Sequence, residues 1–113
     1  MKNICKSILE VDKEVHFAMI VDSYGNIQCM DCRAKYEMPK ELVKKMGGAW
    51  SAVVGGIFAQ LAQYHGPFEY VVVKHQKVIT VGVGTEEKYL IFTVEKHVSA
   101  ELIEKVKKIL IAK

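Results

Sequence analysis

The sequence is poor in several features that would assign a protein to a class at once. Its 113 residues include two prolines and one tryptophan, and its net charge is only +3. The longest apolar stretches have the length of a strand or are interrupted by glycine, so none is suited to span a bilayer. The lysines are dispersed, as on solvated helix faces. We therefore expect neither a membrane-spanning nor a nucleic-acid-binding protein.

Cysteine is also scarce. Cys5, Cys29 and Cys32 are an odd number of thiols in a chain that does not look secreted. The N-terminal stretch MKNICKSILEVDKE carries charges throughout and lacks the apolar segment of a signal peptide. Both observations favour a cytoplasmic protein whose thiols are reduced.

Cys29 and Cys32 form a lone C-x-x-C motif. Two such motifs would indicate zinc, whereas one alone is weak evidence. Residues three apart on an extended strand point to opposite faces, so these two thiols could neither share a metal nor bond to each other unless the strand bends. We predict structural cysteines, with a redox or metal-binding role as the alternative.

Motifs for other chemistry are missing from the sequence. It contains neither G-x-x-x-x-G-K-[ST] nor G-x-G-x-x-G, the patterns of two phosphate-binding loops. His16, His65, His75 and His97 are scattered, and no nucleophile stands beside an evident base. We therefore predict a protein that is not an enzyme and that binds no metal, nucleotide or covalent cofactor.

The chain does contain a regular succession of amphipathic and apolar segments. They predict a helix, a two-stranded hairpin, a long helix, three strands and a closing helix. Val15–Asp22 is apolar on both faces and should be an inner strand, and the turn after it places Gly25 and Asn26 where positive φ is needed. The simplest packing is a single α/β (α+β) domain over residues 1–113. In it a five-stranded antiparallel sheet carries the central helix on one face and the terminal helices on the other.

The predicted central helix contains four glycines in Gly47–Ala62, GGAWSAVVGGIFAQLA. Glycine inside a helix costs about 1 kcal/mol relative to alanine, so this number of glycines needs a reason. A helical wheel separates a stripe of large residues, which we expect to cover the sheet, from a stripe of small ones. The large stripe is Met46, Trp50, Val53, Ile57, Leu61 and Tyr64, and the small stripe is Gly48, Ala52, Gly55, Ala59 and Ala62, flanked by Ser51 and Gly56.

The small stripe has the spacing that lets two helices approach closely. Since the chain offers no other long apolar helix, the predicted occupant of this stripe is the same helix of a second copy. A kinked or loop-like segment is the alternative.

The order of elements resembles that of the roadblock family, relatives of dynein light chains with a profilin-like sheet. Three stretches carry the resemblance: FAMIVDSYGNI, the apolar central helix, and FEYVVVKHQKVITVGVGTEEKYLIFTVEK. The likeness extends from Ile4 to Leu110 and is greatest to small stand-alone archaeal members.

The resemblance implies a homodimer. In the family, the third strand and the long helix form a two-fold interface in which two sheets join edge to edge and two helices cross. The edge strand would be Phe68–Lys74 here. The implied interface residues are Gly48, Ser51, Ala52, Gly55, Gly56, Ala59, Ala62, Phe68, Tyr70, Val72 and Lys74.

Roadblock-like proteins commonly bind small Ras-like GTPases or scaffold complexes around them. The resemblance therefore implies a non-catalytic interaction module, a scaffold or regulator for such a GTPase. Because related profilin-like sheets also bind ligands, a small-ligand sensor is the alternative function, and a thiol redox or metal protein is a further one.

Overall fold

A computed structural model describes residues 4–85 and 88–112, without the side chains of Tyr36, Ala59 and Ala112. Its elements, in chain order, are the helix α1 (Ile4–Leu9), the strands β1 (Val15–Asp22) and β2 (Ile27–Cys32), a 3-10 turn (Ala34–Tyr36), the helix α2 (Lys40–Val53), a π-helical turn (Val54–Phe58), a second 3-10 turn (Ala59–Leu61), the helix α3 (Ala62–His65), the strands β3 (Tyr70–Lys74), β4 (Ile79–Gly84) and β5 (Lys88–Val94), and the helix α4 (Ala100–Ala112). No helix among the described residues combines the length and the hydropathy that a membrane span requires.

The five strands form one antiparallel sheet in the order β2-β1-β5-β4-β3. The prediction that Val15–Asp22 is an inner strand is confirmed, because β1 lies between β2 and β5. Its burial on both faces matches its continuous apolar sequence. The more polar β2 and the later β3 are the two edges of the sheet.

The turn between β1 and β2 is organised by Asp22. Its carboxylate accepts hydrogen bonds from the backbone N–H groups of Tyr24 and Asn26, each at 2.9 Å. Gly25 has a φ of 87°, as predicted, but Asn26 does not have positive φ and that prediction is wrong. One residue with left-handed backbone is sufficient because the Asp22 carboxylate holds the rest of the turn.

The helices α1 and α4 cover one face of the sheet. Ile8 and Val106 from these helices are buried against a cluster that includes Phe92 of β5. The helix α4 begins as predicted after Ser99, whose hydroxyl accepts a hydrogen bond from the N–H of Leu102 at 3.1 Å. This face is closed by elements of the same chain.

A disulfide joins α1 to the edge strand β2. It links Cys5 and Cys29, which are 24 residues apart in sequence with Cα atoms 6.3 Å apart. The expectation of reduced thiols is therefore wrong for these two residues, and Cys32 is the free one. The opposite-face argument holds, because Cys29 packs toward α1 and α4 while Cys32 packs on the other face. Localisation in the cytoplasm stays a prediction, without support from reduced thiols.

The helix α2 covers the other face over a smaller buried cluster. Val43 and Val54 pack there against Phe17 and Ile91 of the sheet. Trp50 is half-buried at the margin of this cluster, which agrees with its predicted core position. The segment Gly47–Ala62 crosses the cluster, so its geometry decides what this face presents to solvent.

Candidate interaction surface

The predicted long helix is interrupted in the structure. Regular α-helix ends at Val53, and the glycine pair Gly55–Gly56 lies inside the π-helical turn Val54–Phe58. A 3-10 turn and the short α3 follow. Glycine tolerates such changes of helical pitch, and π turns inside helices frequently occur at functional positions. The segment is therefore irregular, as in the alternative considered from sequence, and its irregularity is a change of helical pitch.

The large stripe does not cover the sheet along its whole length. Met46 and Trp50 pack against the core as expected, but the prediction is wrong for the other four members. These are exposed to 39% at Val53, 55% at Ile57, 42% at Leu61 and 76% at Tyr64. The sheet is contacted instead by residues one position further along, among them Val54 and Phe58.

Two of the four glycines lie in close contact with other parts of the chain. A Cβ atom on Gly47 would lie 3.1 Å from Cγ1 of Ile27 and 3.2 Å from the carbonyl oxygen of Gly25. A Cβ atom on Gly55 would lie 2.7 Å from the hydroxyl oxygen of Tyr89. These glycines let the helical segment approach the β1–β2 turn and β5 closely.

The other two glycines face open space. A Cβ atom on Gly48 or Gly56 would have no heavy atom within 4 Å. Both residues are exposed, as is Ala52 between them. Nothing inside the described chain explains why these two positions lack a side chain, and their cost in helix stability makes an external contact a reasonable explanation.

The remaining residues of the predicted stripe are divided between the core and the surface. Ser51 is buried, and its hydroxyl donates to the carbonyl oxygen of Ser23 at 2.9 Å. Ala62 is half-buried, and the side chain of Ala59 lies outside the described part. The exposed members are therefore the outer residues Gly48, Ala52 and Gly56.

The edge strand β3 continues the exposed apolar surface. Tyr70, Val72 and Val73 are exposed to between 38% and 47%, and the outer edge of β3 has no neighbouring strand among the described residues. Phe68 lies before β3 rather than in it, stacking on Phe58 at 5.7 Å between ring centroids. Unpaired edges with apolar side chains are available for pairing with another strand.

A shallow groove joins the helix to this edge. It has a volume of about 260 Å³ and is lined by Ala49, Trp50, Val53, Phe58, Val71 and Val73. We use the name helix–edge surface for the exposed residues of the helical segment and of β3: Gly48, Ala52, Val53, Gly56, Ile57, Leu61, Tyr64, Tyr70, Val72 and Val73. Of these, Gly48, Ala52 and Gly56 line a separate hollow beside Ser23 and Tyr24. Clustered exposed apolar side chains of this kind are typical of protein–protein contact sites.

The other residues considered for chemistry do not form a reactive centre. Burial, with smaller contributions from the charges of Glu37 and Asp31, raises the pKa of the Cys32 thiol, which disfavours the reactive thiolate. His65, His75 and His97 are exposed and lie in three separate places, at the end of α3, after β3 and before α4. His16 is buried and is treated below.

Comparison with solved structures shows which known folds this chain resembles. The gliding protein MglB from Thermus thermophilus superposes with a TM-score of 0.72 over 93% of this chain and 78% of its own, at 11% identity. A roadblock/LC7 domain from Streptomyces avermitilis gives a TM-score of 0.68 over 96% and 95%, at 11% identity. Profilin II from Acanthamoeba castellanii gives a TM-score of 0.60 over 98% of this chain and 96% of its own, at 16% identity.

These likenesses confirm the predicted roadblock-like and profilin-like fold. No protein-family model matches the chain, and no curated protein matches it significantly in sequence. At such low identities the fold is what the similarity establishes, and special closeness to archaeal members stays a prediction.

Proposed function

We propose that this chain is a non-catalytic interaction module that forms a homodimer through the helix–edge surface and, as a dimer, scaffolds or regulates a small Ras-like GTPase. The observation that carries the proposal is the exposure of Val53, Ile57 and Leu61 on a helical segment that shares a groove with β3, the strand whose outer edge no described strand covers. Exposed apolar side chains favour association, because burial removes them from water.

Two-fold symmetry suits this surface. In an isologous contact the same patch appears on both subunits, so β3 can pair with its symmetry-related copy while the helical segments cross above the joined sheets. Gly48, Ala52 and Gly56 would then permit a close crossing, and Tyr70 and Val72 would be covered near the joined edges. An MglB structure of the same fold is described as having a tetrameric arrangement, which supports assembly as a property of this fold.

The GTPase part of the proposal rests on the roadblock resemblance. Members of that family commonly bind Ras-like GTPases, and the fold of this chain is similar to MglB and MglC structures. The proposed partner would contact the dimer rather than an isolated subunit. Loss of dimerisation should therefore abolish GTPase binding as well.

The test uses two isoleucine variants that differ only in position. Ile57→Lys introduces a charge on the helix–edge surface, and Ile111→Lys introduces it on α4, where the isoleucine is exposed to 64%. The protein and both variants are immobilised and exposed to extract of the native cells, and bound proteins are identified by mass spectrometry. Any GTPase found is then purified and its affinity measured directly.

We expect the unmodified protein and Ile111→Lys to retain a Ras-like GTPase, and Ile57→Lys to lose both the GTPase and the dimer. If none of the three proteins retains a GTPase, the GTPase assignment is contradicted. The dimer would then be tested separately, by measuring the mass of the protein in solution. Equal recovery by all three would show that the helix–edge surface is not needed.

A cleft at one end of the sheet favours the second candidate, a small-ligand sensor. It has a volume of about 690 Å³, within the range of ligand pockets, and its lining includes His65, Phe68, Tyr89 and Lys107. Native mass spectrometry of protein purified from its own cells tests this function. A small molecule bound at one per chain would support the sensor, and unliganded protein would count against it.

A further inference from the structure

The start of β1 contains an irregularity that places a histidine beside two carboxylates. Pairing with β5 shifts between Val15, which faces Val94, and Phe17, which faces Thr93. His16 is therefore an extra residue in β1. Such bulges commonly redirect a side chain, and they occur more often than expected near functional sites.

The redirected side chain is buried, and a carboxylate lies against it. The His16 side chain is exposed to only 7%, and its Nε2 atom lies 3.2 Å from Oε2 of Glu95, which directly follows β5. Glu14 lies just before β1 on the same side. One ligand atom from each of Glu14, His16 and Glu95 falls within 4.8 Å of the other two.

We propose that Glu14, His16 and Glu95 form a binding site for a divalent transition-metal ion of the Zn²⁺ type. Zinc is bound by imidazole nitrogen at about 2.0–2.1 Å and by carboxylate oxygen at about 2.0–2.2 Å, so neighbouring ligands of a tetrahedral ion lie about 3.3 Å apart. The distance between Nε2 of His16 and Oε2 of Glu95 is 3.2 Å, close to this value. Glu14 supplies the third ligand atom, which lies within 4.8 Å of the other two.

The partial exposure of the two carboxylates leaves them room to close around an ion. Glu95 is exposed to 45% in its side chain and Glu14 is half-buried, so both can adjust around the anchored imidazole. One imidazole with two carboxylates is a ligand set that suits zinc or manganese. Three protein ligands leave a fourth position for water or for an external ligand.

The site is separate from the helix–edge surface. It lies where β1 meets β5, while β3 is the edge on the β4 side of the sheet. A bound ion would link the beginning of one strand to the end of another. It should therefore stabilise the folded chain, by an amount that grows with the logarithm of its concentration relative to its Kd. The prediction that the chain binds no metal rested on the lone C-x-x-C motif, whose residues are not those of this site.

The test is a titration of the chelator-treated, full-length protein with Zn²⁺ in a calorimeter and with Co²⁺ in a spectrophotometer, without reductant so that the disulfide stays intact. We expect one ion per chain, a higher Tm with Zn²⁺, and visible Co²⁺ bands without a thiolate charge-transfer band. Histidine NMR signals should change for His16 and not for His65, His75 or His97.

Variants of the exposed ligands keep the test independent of folding. Glu95→Gln and Glu14→Gln should each weaken Zn²⁺ binding at least about tenfold, since even residues behind the ligands cost that much. Glu101→Gln on α4 and Cys32→Ser are the matched controls and should bind as the parent does. Absence of binding, unchanged affinity in both ligand variants, or a thiolate band abolished by Cys32→Ser would overturn the proposal.

Discussion

The two faces of the sheet are covered to different extents. On one face α1 and α4 bury a large apolar cluster. The disulfide between Cys5 and Cys29 links α1 to the edge strand β2. On the other face a single interrupted helical segment buries a smaller cluster and leaves Ile57 and Leu61 exposed. The first face is complete within one chain. The second retains apolar side chains that another molecule could cover, which is the basis of the proposed dimer.

The largest expected effect tests the complete face. Phe92 is fully buried between the sheet and the terminal helices. Phe92→Ala should lower the free energy of unfolding by roughly 3–5 kcal/mol, because it removes a large side chain and leaves a cavity. Denaturant titration measures the change. An effect below about 1 kcal/mol would mean that this face is not a packed core.

Loss of the disulfide should have the next largest effect. A cross-link between residues 24 apart restricts the unfolded chain, and links of this kind contribute about 2–4 kcal/mol. The double variant Cys5→Ala, Cys29→Ala should lose that amount relative to the oxidised protein. Cys32→Ser is the control and should be as sensitive to reductant as the parent. If reductant leaves the parent's unfolding midpoint unchanged, the link does not form in solution.

A smaller effect separates the two kinds of glycine in the incomplete face. Gly55→Ala places a Cβ atom against the Tyr89 hydroxyl and should destabilise the chain by about 1–3 kcal/mol. Gly48→Ala meets open space within the single chain and should stabilise its helix by up to about 1 kcal/mol when unfolding is measured at concentrations too low for dimers to form. Thermal unfolding compares the two. Introducing Tyr89→Phe should recover part of the Gly55→Ala loss, and no recovery would exclude the hydroxyl as its cause.

The smallest effect concerns the turn that packs beside Gly47 and Gly48. Backbone hydrogen bonding, chiefly from Asn26, holds the pKa of the Asp22 carboxyl below its ordinary value. The pKa of Asp22 is lower in the folded state than in the unfolded state, where it is near 4. The ionised carboxylate therefore stabilises the fold above the unfolded-state pKa, and this stabilisation is lost as the pH falls through the folded-state pKa. Asp22→Asn should flatten the acid limb of a plot of Tm against pH, and parallel curves for variant and parent would contradict the assignment.

Sequence patterns were sufficient for the fold because its strands and terminal helices have clear periodicity. The inner position of Val15–Asp22 and the cap at Ser99 follow from local residues. The buried face of the central helix could not be predicted in the same way. Apolar residues occur on both of its faces, and a helical wheel cannot distinguish a core face from an exposed one. Its π-helical turn also changes the residue spacing after Val53.

The features missed from sequence depend on distant residues. The Cys5–Cys29 link joins elements whose proximity only the assembled sheet establishes. His16 and Glu95 are 79 residues apart and meet beside a one-residue bulge. The interface residues came from the roadblock resemblance, and their role in a dimer stays a prediction.

Sedimentation equilibrium of Gly56→Leu tests the proposed dimer most directly, because Gly56 is exposed and open within the chain. Leucine is a better helix former than glycine and should leave the subunit folded, while it would obstruct a close crossing from both subunits at once. With Gly56→Ala as the control for helix propensity, we expect the parent to have the mass of a dimer and the leucine variant the mass of a folded monomer. A parent of monomer mass, or a leucine variant that dimerises as tightly as the parent, would contradict the proposal that this surface joins two copies of the chain.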